Sequence, residues 1–140
     1  MLADDDSDDC LLFEDALKEV NEKVRLTMAS DGMELMDILE ETVPPPPDVI
    51  FLDLNMPRKS GYECLEEIKR TPKFQGIPVV IFSTSSQQDA IDRVYNDGAN
   101  LYIRKPGSFP KLKLAIEKIL SMDLKDIKTQ PAKEKFFLSF

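Results

Sequence analysis

Four short clusters of polar residues carry the chemistry this chain could do: Asp4-Asp5-Asp6, Asp53-Leu54-Asn55, Ser83-Thr84-Ser85 and Arg104-Lys105-Pro106. Carboxylates brought together repel one another, and their pKa values rise unless a cation neutralises them. Asp4, Asp5 and Asp53 would make such a cluster. Oxygen ligands with open positions suit Mg²⁺, which keeps several waters and accepts a phosphate oxygen. Lys105 adds a further positive charge. A carboxylate nucleophile beside Mg²⁺ and an ammonium is the equipment for forming an aspartyl phosphate. The cations spread the charge of the transferring phosphoryl group, and the protein supplies position.

Each cluster follows a segment that reads as a strand, so the elements must bring four strand ends together. Val49-Ile50-Phe51-Leu52 is a continuous apolar run, and so is Pro78-Val79-Val80-Ile81-Phe82, as expected of strands covered on both faces. Leu101-Tyr102-Ile103 and Arg25–Ala29 are shorter strand candidates. Between them lie helical periodicities over about Ser7–Asn21, Met33–Glu41, Ser60–Arg70, Gln87–Asn96 and Pro110–Ser121. Asp97-Gly98 reads as a helix C-cap. Pro44–Pro47 reads as a stiff polyproline connector. Five βα units give a doubly wound α/β fold, a five-stranded parallel sheet with five helices on its two faces. Ligands on such sheets bind at the carboxyl ends of the strands, where the four clusters fall.

Composition removes several classes of function. The net charge of −8 argues against direct contact with nucleic acid. There is no histidine, which excludes hydrolase triads with a His base, most zinc enzymes and a histidine phosphocarrier. Cys10 and Cys64 lie in amphipathic segments and read as free thiols of a reducing compartment. The start of the chain lacks the basic and apolar regions of a signal peptide, and no apolar run spans a bilayer. A cytoplasmic protein without a membrane segment is expected.

In this order the motifs are highly specific, and the chain resembles the response-regulator receiver family of two-component signalling. The match runs from about Leu2 to Ser121. It is carried by Asp4-Asp5, by Asp53-Leu54-Asn55-Met56-Pro57-Arg58-Lys59-Ser60-Gly61, by Ile77–Ser83 and by Tyr102-Ile103-Arg104-Lys105-Pro106. It is most similar to the stand-alone receivers that partner cyanobacterial phytochromes. The resemblance implies a flavodoxin-like, CheY-like strand order 2-1-3-4-5 and Asp53 as phosphoacceptor. It implies that Mg²⁺ is held by Asp53, by Asp5 directly, by Asp4 partly through water, and by the backbone carbonyl of Asn55. Ser83, with Thr84 beside it, would bind a phosphoryl oxygen, Tyr102 would turn inward as Ser83 moves, and Lys105 would pair with the phosphoryl group. Pro57, Gly61 and Pro106 would be structural at the site, with the Lys105–Pro106 bond cis. A sensor histidine kinase, of hybrid or phytochrome type, would be the donor. The protein would act as a switch rather than a turnover enzyme, on a downstream target protein, or as an intermediate passing the group to a histidine phosphotransfer protein.

Bland readings remain beside these. Asp6, Ser7, Asp8 and Asp9 read as helix-capping residues. A haloacid-dehalogenase-like phosphatase would carry its nucleophile on the first strand with a second Asp two residues on; here Asp53 is on the third strand and Asn55 follows. An unphosphorylated interaction module would show a decayed site, and this one is whole. Only Met1-Leu2-Ala3 precede the acidic pair, so a trimmed start and a weak central strand are expected. A receiver domain over 1–122 leaves no room for an output domain. The tail 123–140 ends Phe136-Phe137-Leu138-Ser139-Phe140, which is costly to leave in water. It is expected to pack on the domain or against a partner subunit, a homodimer included, and to stand apart from the phosphorylation chemistry.

Overall fold

In the apolar runs, neighbouring residues serve opposite cores. The computed structural model describes residues 1–140, the side chain of Leu124 excepted. The strands are β1 Leu2–Ala3, β2 Met28–Ala29, β3 Ile50–Leu52, β4 Val79–Ser83, β5 Leu101–Arg104 and β6 Phe137–Leu138. The helices are α1 Ser7–Val20, α2 Gly32–Thr42, α3 Gly61–Arg70, α4 Gln88–Asn96, α5 Phe109–Leu120 and α6 Leu124–Lys128. Side chains alternate along a strand, so Ile50, Leu52, Val79, Ile81 and Tyr102 join the core under α2, α3 and α4. Phe51, Val80, Phe82, Leu101 and Ile103 join the other, under α1 and α5. There Phe13, Phe51 and Phe82 meet edge to face, with ring centroids 4.9–6.1 Å apart.

All strand pairs are parallel, in the order β2-β1-β3-β4-β5-β6. The order 2-1-3-4-5 is therefore present, with one strand and one helix beyond the five of each expected from periodicity. The additions come from the tail. After α6 and a single 3₁₀ turn at Lys133–Lys135, β6 pairs Phe137 with Tyr102 and Leu138 with Ile103. A two-residue apolar strand carries no periodicity signal, and the open edge of β5 offers it backbone partners.

β1 is short but is paired on both sides. Leu2 N–H donates to Thr27 O, Phe51 N–H to Met1 O, and the terminal ammonium to Val49 O. Two further expectations are corrected. The connector at Pro44–Pro47 is not a uniform polyproline helix, because Val43–Pro44 and Pro44–Pro45 are cis. The Lys105–Pro106 bond is not cis. It takes the isomer that X–Pro bonds favour by default, with Lys105 N–H already held on Ser83 O.

Four helices, α1, α2, α3 and α5, start at side-chain caps. Asp6 accepts from Asp8 and Asp9 N–H, Asp31 accepts from Glu34 N–H, and Ser60 and Glu63 form a reciprocal box. Gly98 ends α4 with φ +98°. Both cysteines are free; burial pushes the thiols up, Cys10 to about 11 and Cys64 to about 12, which keeps them protonated and inert. Among the described residues no helix is long and apolar enough to cross a membrane.

Asn100 ties the tail to the sheet. Its Oδ1 accepts from Val79 N–H at 2.9 Å and from Lys69 Nζ at 3.0 Å. Its Nδ2 donates to Ile127 O at 3.0 Å and Lys128 O at 3.2 Å. Asn100→Ala strands these buried partners, and a loss of about 2–4 kcal/mol in urea unfolding is expected. A loss below about 0.5 kcal/mol would mean the hub is dispensable.

Candidate functional site

Register brings the acidic residues to one level. Ala3 pairs with Leu52, so the residues that follow, Asp4 on β1 and Asp53 on β3, leave adjacent strands side by side. Their N–H groups continue the ladder, Asp53 to Ala3 O at 2.9 Å and Asp4 to Ala29 O at 3.0 Å. On the other side Ser83 pairs with Arg104, and Lys105 N–H donates to Ser83 O at 2.8 Å. That turns Lys105 towards β1 and β3.

The Lys105 ammonium then faces three carboxylates: Asp4 Oδ2 at 2.8 Å, Asp9 Oδ2 at 2.9 Å and Asp53 Oδ2 at 3.5 Å. Asp4 is 1% exposed and Asp53 7%. Burial works to lower the Lys105 pKa, but Asp4, Asp9 and Asp53 outweigh it and hold the ammonium above its ordinary range. Asp53 is pushed up from 3.8 to about 6, first by burial and then by Asp4, against the opposing pull of Lys105 and a hydrogen bond from Asn55 N–H. One ammonium therefore does not neutralise the group.

Carboxylate oxygens of Asp4, Asp5 and Asp53 lie within 4.8 Å of one another. Asp5 is exposed, so the cluster opens to solvent. Asp4 Oδ2, although close to Lys105, is buried without a hydrogen bond. A buried anionic oxygen whose one close partner is the Lys105 ammonium, beside two further carboxylates and with access from water, fits a hard divalent cation.

Ser83 closes β4, Thr84 follows it, and Tyr102 lies on β5. Ser83 is fully buried and its Oγ accepts from Ser85 N–H at 3.3 Å; Thr84 is exposed. Tyr102 is also fully buried, and its phenol donates to Ser85 O at 2.8 Å. Burial pushes the phenol pKa up. Gly61 sits where a Cβ would lie 2.1 Å from Asp53 O, so only glycine lets α3 start this close to the end of β3. Pro57 is exposed in the turn between them, where Arg58 takes φ +65° and reaches Asp31 at 3.2 Å. Pro106 is half-buried beside Lys105.

Asp9 is the site residue that sequence reasoning missed. It was assigned to capping, yet it lies against Lys105 while Asp6 makes the cap. An acid in the first turn of a helix is so common that nothing local marks this one.

The chain is similar to known proteins over most of its length. Residues 1–117 match the family model described as the response regulator receiver domain. Response regulator Rcp1 of Synechocystis sp. is 33% identical over 136 residues, covering 94% of this chain and 92% of its own. A probable methanogenesis regulatory protein, FilR2 of Methanothrix harundinacea, is 33% identical over 122 residues, covering 85% and 79%. The crystal structure of the phosphorylated cyanobacterial phytochrome response regulator RcpA superposes with TM-score 0.80 at 34% identity, covering 94% of this chain and 96% of that one. The Mn²⁺-bound form of Rcp1 superposes with TM-score 0.76 over the same shares.

Asp53 makes stability depend on pH. Its folded pKa is raised, so it favours folding fully only below about 3.8 and loses that contribution as pH rises through about 6. In divalent-free buffer at pH 7.5, Asp53→Asn should be more stable than the native chain by about 1–3 kcal/mol. The gap should close near pH 4 and shrink when Mg²⁺ is added. Thermal unfolding at several pH values checks this; a variant less stable at pH 7.5 would contradict it.

Proposed function

The chain belongs to the response-regulator receiver family, and on that premise we propose that it is a single-domain response regulator phosphorylated on Asp53. The observation that carries the reading is the buried Asp53 carboxylate, with Lys105 Nζ at 3.5 Å and oxygens of Asp4 and Asp5 within 4.8 Å. The donor is a sensor histidine kinase. Likeness to cyanobacterial phytochrome response regulators supports a kinase of phytochrome type.

An ionised Asp53 oxygen attacks the phosphorus of the donor's phosphohistidine; the O–P bond forms, the P–N bond breaks, and the imidazole leaves. Asp53 must be ionised to attack; burial pushes its pKa up to about 6 without metal, and a divalent cation on the carboxylate would draw it back down. Lys105 turns from the carboxylates to a phosphoryl oxygen, and the Ser83 hydroxyl donates to another. Gly61 leaves room at the Asp53 backbone. Asp4, Asp5, Asp53 and the Asn55 carbonyl would hold Mg²⁺, which supplies positive charge against the phosphoryl oxygens. The Mn²⁺ in the Rcp1 structure and the cluster of Asp4, Asp5 and Asp53 oxygens support a divalent ion here. The chain charge of −8 supports protein partners, a downstream target or a histidine phosphotransfer protein, over nucleic acid.

Acetyl phosphate or phosphoramidate with Mg²⁺ should give one base-labile adduct, mapped by mass spectrometry to Asp53. The same treatment should leave Asp53→Asn unmodified, and an undiminished adduct there would remove the proposal. Asp5→Ala should weaken Mg²⁺ binding at least tenfold, whereas Asp6→Ala, which removes only the cap, should leave it within about twofold.

A further inference from the structure

Phe136 has no exposed surface, although it belongs to the tail. Its ring packs edge to face on Tyr95 of α4 at 4.9 Å and on Tyr102 of β5 at 6.4 Å. Phe137 covers Tyr102 from a second side at 5.5 Å. Tyr102 N–H donates to Phe136 O at 3.1 Å. Further bonds pin the segment: Gln130 Nε2 donates to Tyr95 O and Ala99 O, Tyr95 Oη donates to Pro131 O, and Lys133 pairs with Asp92 at 2.9 Å.

The far end of the same Tyr102 touches the strand-end site. Its phenol holds Ser85 O, Ser85 N–H holds Ser83 Oγ, and Ser83 O holds Lys105 N–H. One side chain thus has its ring in the tail's pocket and its hydroxyl on the loop beside Asp53. Phe136 and Phe137 both pack against the Tyr102 ring, and close packing of this kind restricts its movement.

We propose that Phe136 is a positioning residue for the phosphorylation site: it holds the Tyr102 phenol on the Ser83–Ser85 loop, so that seating of the tail and occupancy of Asp53 by a phosphoryl group favour one another. The inference rests on the reading of Asp53 as phosphoacceptor and departs from the expectation that the tail stands apart from that chemistry. Linkage makes the effect reciprocal: whatever the seated tail adds to occupancy, occupancy adds to seating. The metal cluster of Asp4, Asp5 and Asp53 does not pass through Tyr102, so binding of Mg²⁺ alone lies outside the coupling.

The test uses the full 140-residue chain, with beryllofluoride as stand-in for the phosphoryl group. Its affinity in saturating Mg²⁺ is read from amide shifts. Phe136→Ala should weaken beryllofluoride binding about fivefold or more and leave Mg²⁺-only affinity within about twofold. Phe136→Leu, which refills most of the pocket, should recover part of the loss. Tyr102→Phe should also weaken binding, and the double variant should be little worse than the worse single one. Beryllofluoride should slow amide exchange at Tyr102 and Phe137 in the native chain. Unchanged beryllofluoride affinity in folded Phe136→Ala, equal loss of Mg²⁺-only affinity, or additive losses in the double variant would each overturn the proposal. Should Phe136→Ala fail to fold, Tyr102→Phe and the exchange measurement decide it, and no change in either overturns it. A native chain that binds no beryllofluoride would instead remove the Asp53 reading itself.

Discussion

The ammonium of Lys105 lies within 3.5 Å of carboxylates from Asp4, Asp9 and Asp53 at the carboxyl edge of the sheet, and the excess of negative charge there organises the site. Two of those carboxylates are almost wholly buried, where water screens little. The group is thus under-neutralised by construction. Burial, with Asp4 alongside, lifts Asp53 to about 6, and Asp4, Asp9 and Asp53 together hold Lys105 charged. A second cation would relieve that excess of negative charge.

The sheet exists to hold those charges at one height. Parallel strands present their carboxyl ends together, and register does the rest, with Asp4 and Asp53 each following a residue of one ladder pair. The brevity of β1 does not defeat this, because its two residues are hydrogen-bonded on both sides. Its neighbour β3 is buried at every position, so the charges stand on a rigid base.

The tail changes what the β5 edge is. Without it, Tyr102 would be the last aromatic of an open sheet; with β6 in place it lies in a core shared with Tyr95 and Phe136. Burying the Phe136 and Tyr102 rings, with Tyr95 half-buried beside them, offsets the cost of ordering an otherwise loose segment. The half-buried Phe137 and Leu138 then form the new rim.

The family resemblance supplied the order 2-1-3-4-5; what the sequence determined by itself is the alternation of strands and helices, the parallel sheet, and the set of polar residues closing each strand. These are local: apolar runs of strand length, helical spacing and caps are written in consecutive residues, and a parallel α/β sheet exposes its strand ends at one edge. The tertiary structure alone decided that Asp9 leaves capping to Asp6 and meets Lys105, since two acids in one helical turn look alike until the partner ninety-six residues away is in place. It alone decided that Lys105–Pro106 is not cis and that the tail supplies a sixth strand. Two apolar residues have no period to read; their strand forms because β5 presents unpaired backbone groups and Tyr102 and Tyr95 leave a place for the Phe136 ring, a condition set by side chains distant in the chain and adjacent only once it has folded.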